Sequence, residues 1–482
     1  MSRNIFTIPP GAPFLKTFVD AFLAGDIIPG LSRTSPPLDF ARTTIYVPTQ
    51  RAGRALAAQF ARGFDAGATL LPRILPLGGL EEQETAALMG EAADFVDDDL
   101  PAPMEELERR LLLAQLVMAW SRAISHAIIS IDASGAHELD TSAPFLVANS
   151  PVAAFALAAD LGALIDEFAI EDIAAETINT VVDAEFDKYW SITTNFLRIA
   201  LEKWPAILEE KNRIDAALRQ KRLVEAQIAA LAGRGAGGPV VALGSTGARI
   251  TTAQLLSTIA SLENGAVILP GLDCVMTDAA WLRVGDNDGE PAFSHPQTML
   301  KRLLETMKLS RADVREIGVV APSLSARRAL VSQAMAPADA TSAWRDYRAA
   351  QENDFAAALD GVTALYAPDE CMEALALALF LREALETPGR TAALVTPDRD
   401  IARRVAAELL RFEIAVDDSG GFSLASTPEG ALARLIAAIG AEGLSAVNVS
   451  ALFAHPLTRF GLTAETIARL RTLIDVGVLR MI

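Results

Sequence analysis

Cysteine and histidine are scarce in this sequence of 482 residues, which contains two cysteines, Cys274 and Cys371, and four histidines. Two cysteines far apart in the chain cannot form a disulfide framework or a cysteine-rich metal cluster, and such usage is typical of a reducing cytoplasm. The histidines show neither H-x-x-x-H nor H-E-x-x-H spacing, which would indicate a zinc enzyme. We therefore expect no metal or other cofactor in this chain, and a cytoplasmic location.

Long apolar runs are also missing, although 51% of the residues are hydrophobic. No uninterrupted apolar stretch approaches the roughly 20 residues that a membrane-spanning helix needs. The N-terminus lacks the apolar segment and small-residue cleavage site of a signal peptide. We therefore expect a large protein that neither enters a membrane nor is exported.

Positive charge is in deficit, since 42 basic and 61 acidic residues give a formal net charge of −19. Such a protein can bind nucleic acid only where lysines and arginines cluster locally. One segment, between Asp39 and Asp65, contains no acidic residue. Its basic residues either form a phosphate-binding patch or simply belong to a solvent-exposed helix face. They are Arg42, Arg51, Arg54 and Arg62.

The N-terminal segment has the order of a P-loop, because a strand-like run at 4–8 leads through a turn into a helical pattern. A working P-loop reads G-x-x-x-x-G-K-[ST], since its glycines let backbone N–H groups close around phosphates. Here Pro10 and Leu15 replace both glycines, and Pro10 and Pro13 supply no N–H. Taken alone, the segment could be an ordinary proline turn. Read as a degenerate nucleotide-binding loop, it retains Gly11, Lys16 and Thr17.

Further apolar segments alternate with helical patterns. The segment 44–50 predicts a buried strand with a polar turn, and a helix follows at 51–60. Strand character returns at 240–243 and at 266–269. Strands separated by amphipathic helices indicate a parallel sheet covered on both faces, whose ligands gather at the carboxyl ends of the strands.

The rest of the chain is predicted to form a helical block and a second α/β unit. In that second unit we expect strands at 362–366 and 391–395, with helices at 369–385 and up to Leu410. The predicted domains are a first α/β domain at 1–80 plus 233–300, an all-helical insertion at 81–232, a linker or helical segment at 301–359, and an incomplete second α/β domain at 360–482.

In this order the segments resemble superfamily 1 helicases of the UvrD/RecB type. In that family the P-loop strand is followed by a strand, turn and helix that touch single-stranded DNA, and the segment 47–56 is similar to it. The resemblance implies a P-loop NTPase-like (RecA-like) parallel sheet with a large all-helical insertion and the start of a second RecA-like domain. It also implies a DNA-binding turn formed by Thr49, Gln50, Arg51 and Arg54.

The family's catalytic residues are not matched. Its next strand ends in D-E-x-x-D, whose carboxylates hold Mg²⁺, whereas the corresponding strand here ends in Gly244-Ser245-Thr246-Gly247. The following G-D-x-x-Q strand is matched only by Gly271-Leu272-Asp273. The segment 392–399 resembles the opening of the second motor domain, which makes Arg399 a candidate DNA or phosphate contact, although it is displaced from the family's arginine. We expect no catalytic residue in this chain.

Within the superfamily, the amino-acid sequences of the segments 11–14, 47–51 and 393–399 resemble those of the AddB branch in its alphaproteobacterial form. These are the helicase-like nuclease subunits of complexes for double-strand break repair by homologous recombination. The resemblance implies an AddA-like motor subunit as partner, with DNA ends or single strands as ligand. It also implies Mg²⁺ and an iron–sulfur cluster in a C-terminal nuclease, which lies beyond this chain. We therefore expect an N-terminal portion of a longer protein.

Three functions remain open at this point. The first is a catalytically silent helicase-like part that binds or guides single-stranded DNA and scaffolds the motor subunit. The second is a protein-interaction scaffold without DNA binding of its own, which the net charge of −19 favours. The third, an active ATP-driven helicase with a divergent P-loop, is disfavoured by the two missing glycines. Neither ATPase nor nuclease activity is expected from this chain alone.

Overall fold

The structure is a computed structural model, and it divides into two compact units, residues 1–361 and 362–482. Each unit is considered by itself below. The described residues are 4–64, 70–77, 100–125, 129–131, 137–139, 150–174, 177, 188–234, 237–287, 290–291, 294–350, 354–421 and 423–479.

A six-stranded parallel sheet forms the centre of the first unit, and its strand order is β10-β1-β7-β6-β2-β3. Two short antiparallel hairpins, β4-β5 and β8-β9, lie outside it. This arrangement is consistent with a RecA-like α/β fold. The strands are β1 (Ile5–Ile8), β2 (Thr44–Val47), β3 (Arg73–Pro76), β4 (Ile129–Ile131), β5 (His137–Leu139), β6 (Val240–Leu243), β7 (Gly265–Pro270), β8 (Asp286–Asn287), β9 (Glu290–Pro291) and β10 (Arg315–Glu316).

Helices connect the strands and make up the second unit. The α-helices of the described residues are α1 (Phe14–Ala24), α2 (Pro37–Ala41), α3 (Gln50–Gly63), α4 (Glu106–Ser125), α5 (Pro151–Ile170), α6 (Lys188–Glu210), α7 (Ala216–Arg234), α8 (Ile250–Ser261), α9 (Asp278–Arg283), α10 (Thr298–Thr306), α11 (Pro322–Ala334), α12 (Trp344–Ala350), α13 (Asp354–Leu359), α14 (Glu370–Leu385), α15 (Arg399–Leu410), α16 (Pro428–Glu442), α17 (Ala446–Ala454) and α18 (Ala464–Ile474). Throughout the described part of the chain, no helix is both long and apolar enough to cross a bilayer.

Both faces of the sheet are covered, because successive strand residues point to opposite sides. On one face Ile5 and Tyr46 pack with residues of α8 and α10. On the other face Phe6 and Ile45 pack with residues of α1 and α3. That second face includes a chain of aromatic contacts with ring centroids 5.4–6.5 Å apart, in which each pair adds about 0.5–1.5 kcal/mol beyond its buried area. The rings are those of Phe18, Phe22, Phe40, Phe60 and Phe64.

The strands predicted at 4–8, 44–47, 240–243 and 266–269 are confirmed. Two strands of the sheet, β3 and β10, were not predicted from the sequence. Both lie at the edges of the sheet, and β10 spans only two residues, which is too short for a periodic pattern. Because β10 comes from the segment 301–359, which was expected to be a linker, that segment contributes to the sheet of the first unit.

The glycine-rich break after α7 returns the chain to the sheet. The N–H of Thr44 donates to the carbonyl of Pro239, which aligns β6 beside β2. A Cβ at Gly238 would lie 2.3 Å from the carbonyl oxygen of Arg42, so no other residue fits between the two segments. Glycine is therefore required here by close approach of two backbones.

The helical insertion has a core of its own, formed by α4, α5 and α6 around the buried Trp204. Its described residues also include the β4-β5 hairpin, so the prediction of an all-helical insertion was wrong. Three-residue strands carry too few residues for a period of two to be recognised. Parts of the predicted insertion, including 78–99, lie outside the described residues.

A buried charge network joins the helices of the insertion. Arg109, 7% exposed, binds both carboxylate oxygens of Asp166 at 2.8 and 2.9 Å and donates to the carbonyl of Gly162 at 3.1 Å. Its Nε lies 2.8 Å from Asp215, which also accepts from the indole N–H of Trp204 at 2.8 Å. Burial raises the pKa of Asp215 above its ordinary value, and the charge of Arg109 opposes that shift. Arg109 therefore supplies the positive charge that both carboxylates contact.

The second unit was expected to be α/β, and its helices α14 and α15 occur where they were predicted. They pack together through Ala374, Ala378, Val405 and Leu409. The strands predicted at 362–366 and 391–395 do not form, and no described residue of this unit belongs to a β-ladder. Strand formation needs a neighbouring backbone as partner, and an apolar run by itself does not supply one.

Replacing Arg109 with alanine should strongly destabilise the insertion. Buried Asp215 and half-buried Asp166 would lose the cation that they contact, and an uncompensated buried charge typically costs about 3–5 kcal/mol. The control is Arg222→Ala, which breaks an exposed pair with Glu225 and should cost about 0.5 kcal/mol or less. Urea unfolding followed by circular dichroism measures both variants, and equal losses would contradict the assigned role.

Tyr46 should make the protein sensitive to alkali. Burial raises the pKa of Tyr46 to about 12 from an ordinary value of 10.0. As pH rises above 10, the unfolded state loses this proton first, so stability that is complete below pH 10 is lost between pH 10 and about 12. Two pKa units correspond to about 3 kcal/mol.

In urea unfolding at a series of pH values, Tyr46→Phe should flatten this alkaline decline. Tyr366→Phe serves as the control, because Tyr366 is 94% exposed. Identical pH profiles for the parent chain and the Tyr46→Phe variant would show that Tyr46 does not control the decline.

Candidate functional site: the carboxyl edge of the parallel sheet

The turns that follow β1, β2, β6 and β7 meet at one edge, because all strands of the sheet are parallel. Gly244, after β6, lies between the ring of Phe14 and the ring of Pro48, which a Cβ would approach to 3.3 and 3.8 Å. A Cβ at Gly271, after β7, would likewise lie 3.3 Å from the ring of Pro10. The segments singled out in the sequence as nucleotide-binding and DNA-binding motifs are therefore neighbours.

The space over the turn that was predicted to be a degenerate nucleotide-binding loop is filled by apolar side chains. A Cβ at Gly11 would lie 3.1 Å from Val320 and 3.2 Å from Leu324, so α11 and the residues before it cover this glycine. The N–H of Ala12 donates a hydrogen bond to the carbonyl of Pro9 at 3.2 Å. Since Pro10 has no N–H, the turn offers few donors to a phosphate group.

Lys16 and Thr17 lie in the first turn of α1 and are engaged elsewhere. Lys16 pairs with Asp20 one turn further along the helix, at 2.6 Å, and both side chains are more than half exposed. The methyl group of Thr17 packs against Gly318, where a Cβ would come within 2.7 Å of it. Among the described residues, neither side chain is hydrogen-bonded to the turns after β6 or β7.

The turn after β6 has a hydroxyl where the helicase family has carboxylates. Ser245 accepts from the N–H of Gly247 at 3.3 Å, which closes a local turn. An acid does follow β7, but Asp273 accepts from the N–H groups of Val275 and Met276 at 3.0 and 2.9 Å. Asp273 thereby caps its own turn and is not arranged as a Mg²⁺ ligand pair.

Gln297 fixes the turn after β7, a role that the sequence did not reveal. Its carbonyl oxygen accepts from the N–H of Asp273 and its amide N–H donates to the carbonyl of Gly271, each at 3.0 Å. Asp273 and Gln297 are 24 positions apart in the sequence. No local motif carries such a separation, so only the fold brings this glutamine to the strand end.

The turn after β2 has a different character, because it is polar and exposed. Thr49 caps α3 by accepting the N–H of Ala52 at 3.1 Å. Thr49, Gln50, Arg51 and Arg54 are all exposed and lie at the N-terminus of a helix of 14 residues. The positive end of the helix dipole and two arginines therefore lie at the same end of α3.

The four arginines of the basic segment do not form one patch. Arg51 and Arg54 lie at the carboxyl edge of β2, whereas Arg42 precedes β2 and Arg62 lies in the last turn of α3. Arg62 lies eleven positions after Arg51 in the same helix, a rise of about 16 Å. The structure thus divides the segment into two arginine pairs at opposite edges of the sheet.

Arg399, in the second unit, is already bound by an internal acid. Its two terminal nitrogens bind the carboxylate of Asp418 at 3.0 and 2.9 Å, and one also donates to the carbonyl of Gly421 at 3.0 Å. The hydrogen bond and charge of Asp418 raise the pKa of the Arg399 guanidinium above its ordinary value. A phosphate could contact this side chain only by competing with Asp418.

Comparisons with known proteins add no assignment: no family model matches the sequence, and no curated protein is significantly similar to it. Over the described ranges, no group of three or more His, Cys, Asp or Glu side chains is placed to hold a metal ion.

Proposed function

We propose that this chain is a nucleotide-independent, helicase-like scaffold that binds or guides single-stranded DNA within a recombinational repair complex. One observation carries the proposal: at the same edge of the sheet, the phosphate loop is filled by Leu324, while the turn Thr49–Arg54 is polar, basic and exposed. The resemblance to helicases of the UvrD/RecB type supplies the repair setting, with a cytoplasmic location and an AddA-like motor subunit as partner.

The proposed DNA contact is made to the phosphate backbone. Backbone N–H groups at the start of α3 and the side chains of Thr49 and Gln50 are suited to phosphate oxygens, as are Arg51 and Arg54. Such contacts fix the position of a strand without reading its bases. Binding by this turn is therefore expected to be independent of sequence and strongly dependent on salt.

The proposed scaffold would not hydrolyse ATP. Phosphoryl transfer relies on donors placed around the phosphates and on carboxylate-held Mg²⁺. Here proline occupies the loop, Lys16 pairs with Asp20, and the turn after β6 contains no acid. The role left for the fold is to present the β2 turn and to contact the motor subunit.

The purified chain should show no ATP turnover above a protein-free background. Lys16→Ala should leave that result unchanged and alter the free energy of unfolding by about 0.5 kcal/mol or less, since it removes only an exposed ion pair. A coupled phosphate-release assay and urea unfolding test both statements. Turnover that disappears in Lys16→Ala would establish an active motor and reject the proposal.

The double variant Arg51→Glu, Arg54→Glu should weaken binding to a single-stranded oligonucleotide. Removing two phosphate contacts should reduce the magnitude of the negative slope of log K against log salt concentration by about 1.4 or more. Fluorescence anisotropy titrations at several salt concentrations give both quantities.

The matched control is Arg42→Glu, Arg62→Glu, which changes the net charge equally at the opposite edge. If binding weakens equally in both double variants, a general charge effect explains it and the β2 turn is not the site. If the parent chain does not bind at all, the alternative of a protein-interaction scaffold without DNA binding replaces the proposal.

A further inference from the structure

A surface pocket of about 550 Å³ lies in the second unit, in a size range common for small-molecule sites. One wall is a single face of α18, because its lining residues recur every three or four positions. The other wall is the end of α17 and the loop that follows it. On the α18 side the lining consists of Ala464, Ile467, Ala468, Arg471, Thr472 and Asp475.

Each wall of the pocket contributes one arginine. Arg471 belongs to α18 and Arg459 to the loop before it, and both residues are exposed. Among the described residues, neither guanidinium has an acidic partner. Arg459 makes one hydrogen bond, in which Nη1 donates to the carbonyl of the adjacent Thr458 at 2.9 Å. Most of the N–H donors of the two side chains are therefore available to a ligand.

The arginines of a cavity in the first unit are engaged differently. That cavity, of about 410 Å³, lies beside the turn after β1. There Arg328 forms a two-point pair with Glu316, and Arg327 donates to the carbonyls of Ala358 and Asp360. Those guanidiniums are held by protein groups, whereas the guanidiniums of the pocket beside α18 are not.

The acids in this part of the sequence leave the pocket positively charged. Glu465, the only acid between Glu442 and Asp475, pairs with Arg469 at 2.8 Å. Asp475 lines the pocket and offsets one of its two arginines. One formal positive charge remains, within a chain whose formal net charge is −19. A positive pocket on an acidic protein attracts anions locally, whereas the rest of the surface repels them.

His455 adds a donor to the pocket. Its Nδ1 accepts from the N–H of Leu457 at 3.2 Å, so the ring hydrogen of the neutral imidazole is on Nε2. Nε2 has no partner among the described residues, and the residue lines the pocket. Two guanidiniums and an imidazole N–H suit a tetrahedral oxyanion, because a phosphate group offers more oxygen acceptors than a carboxylate.

We propose that this pocket binds a small organic phosphate monoester. The phosphate oxygens accept hydrogen bonds from Arg459, Arg471 and the Nε2 of His455. The organic part packs on the apolar lining, which includes Phe453 and Pro456. A neutral ligand of the same shape binds more weakly, because it forms no charge-assisted hydrogen bonds with the guanidiniums. The site is independent of the DNA contact proposed for the β2 turn.

Phenyl phosphate is a suitable probe, because it joins a ring to a phosphate monoester that carries about 1.5 to 2 negative charges at pH 7. Phenol presents the same ring without charge. Ligand-observed NMR titrations of the full chain in phosphate-free buffer should give saturable phenyl phosphate binding and phenol binding weaker by about tenfold or more. Absence of phenyl phosphate binding at millimolar concentration, or equal binding of phenol, would overturn the proposal.

Variants locate the probe. The double variant Arg459→Gln, Arg471→Gln should weaken phenyl phosphate binding by about tenfold or more, because both guanidinium contacts are lost. The matched control is Arg434→Gln, Arg469→Gln, which changes the net charge equally in the same unit at residues outside the lining. It should bind the probe as the parent chain does. Equal weakening in both double variants, or none in the first, would reject the site. Unfolding midpoints confirm that each variant is folded.

A single-stranded oligonucleotide without a terminal phosphate separates a phosphate monoester from the DNA backbone as the ligand. It should not displace phenyl phosphate, and displacement would assign the pocket to phosphodiesters and overturn the proposal. The variant Arg51→Glu, Arg54→Glu should bind phenyl phosphate as the parent chain does. Loss of binding in that variant would place the probe at the β2 turn and reject the pocket, so this test is distinct from the test of DNA binding.

Discussion

The pairing of β1 with β7 and β10 is the constraint on which the first unit depends. Ile5 lies opposite Val267, and Phe6 lies opposite Arg315, so residues about 260 and 310 positions apart share backbone hydrogen bonds. Closing such long loops costs entropy that only a well-packed sheet can offset. The two buried faces around Ile5 and Phe6 provide that packing. The segments between β1 and β7 in the sequence, including the helical insertion, therefore depend on this strand pairing for their place in the first unit.

The same parallel pairing decides what lies at the candidate site. Because every strand of the sheet points the same way, the turns after β1, β2, β6 and β7 lie together at one edge. Proximity alone does not produce phosphate chemistry, however. Leu324 lies over Gly11 and Pro10 packs on Gly271, so apolar contacts occupy the region where donors would be needed. The turn after β2 keeps its polar surface because Thr49 faces outward while capping α3. The apolar character of one turn and the polar character of the other thus follow from the size and polarity of their side chains within a common backbone.

Sequence reasoning succeeded where a signal was local. β1, β2, β6 and β7 are continuous apolar runs, and α3, α14 and α15 have clear caps and periodicity, so each could be predicted. It failed where the determinant was distant. β3 and β10 are strands mainly because a neighbour pairs with them, and the runs at 362–366 and 391–395 remain unpaired despite their apolar character. Gln297 and Arg328 had no motif, because their partners lie on other elements.

The sequence by itself determined the alternation of strands and helices, the acidic balance, and the absence of both P-loop glycines, since these are properties of residue type and spacing. Only the tertiary structure decided which loops meet, that the four arginines of the basic segment divide into two pairs, and that Arg399 is bound by Asp418. It also decided that a cavity forms beside the turn after β1. These features depend on contacts between residues far apart in the chain, which local patterns do not encode.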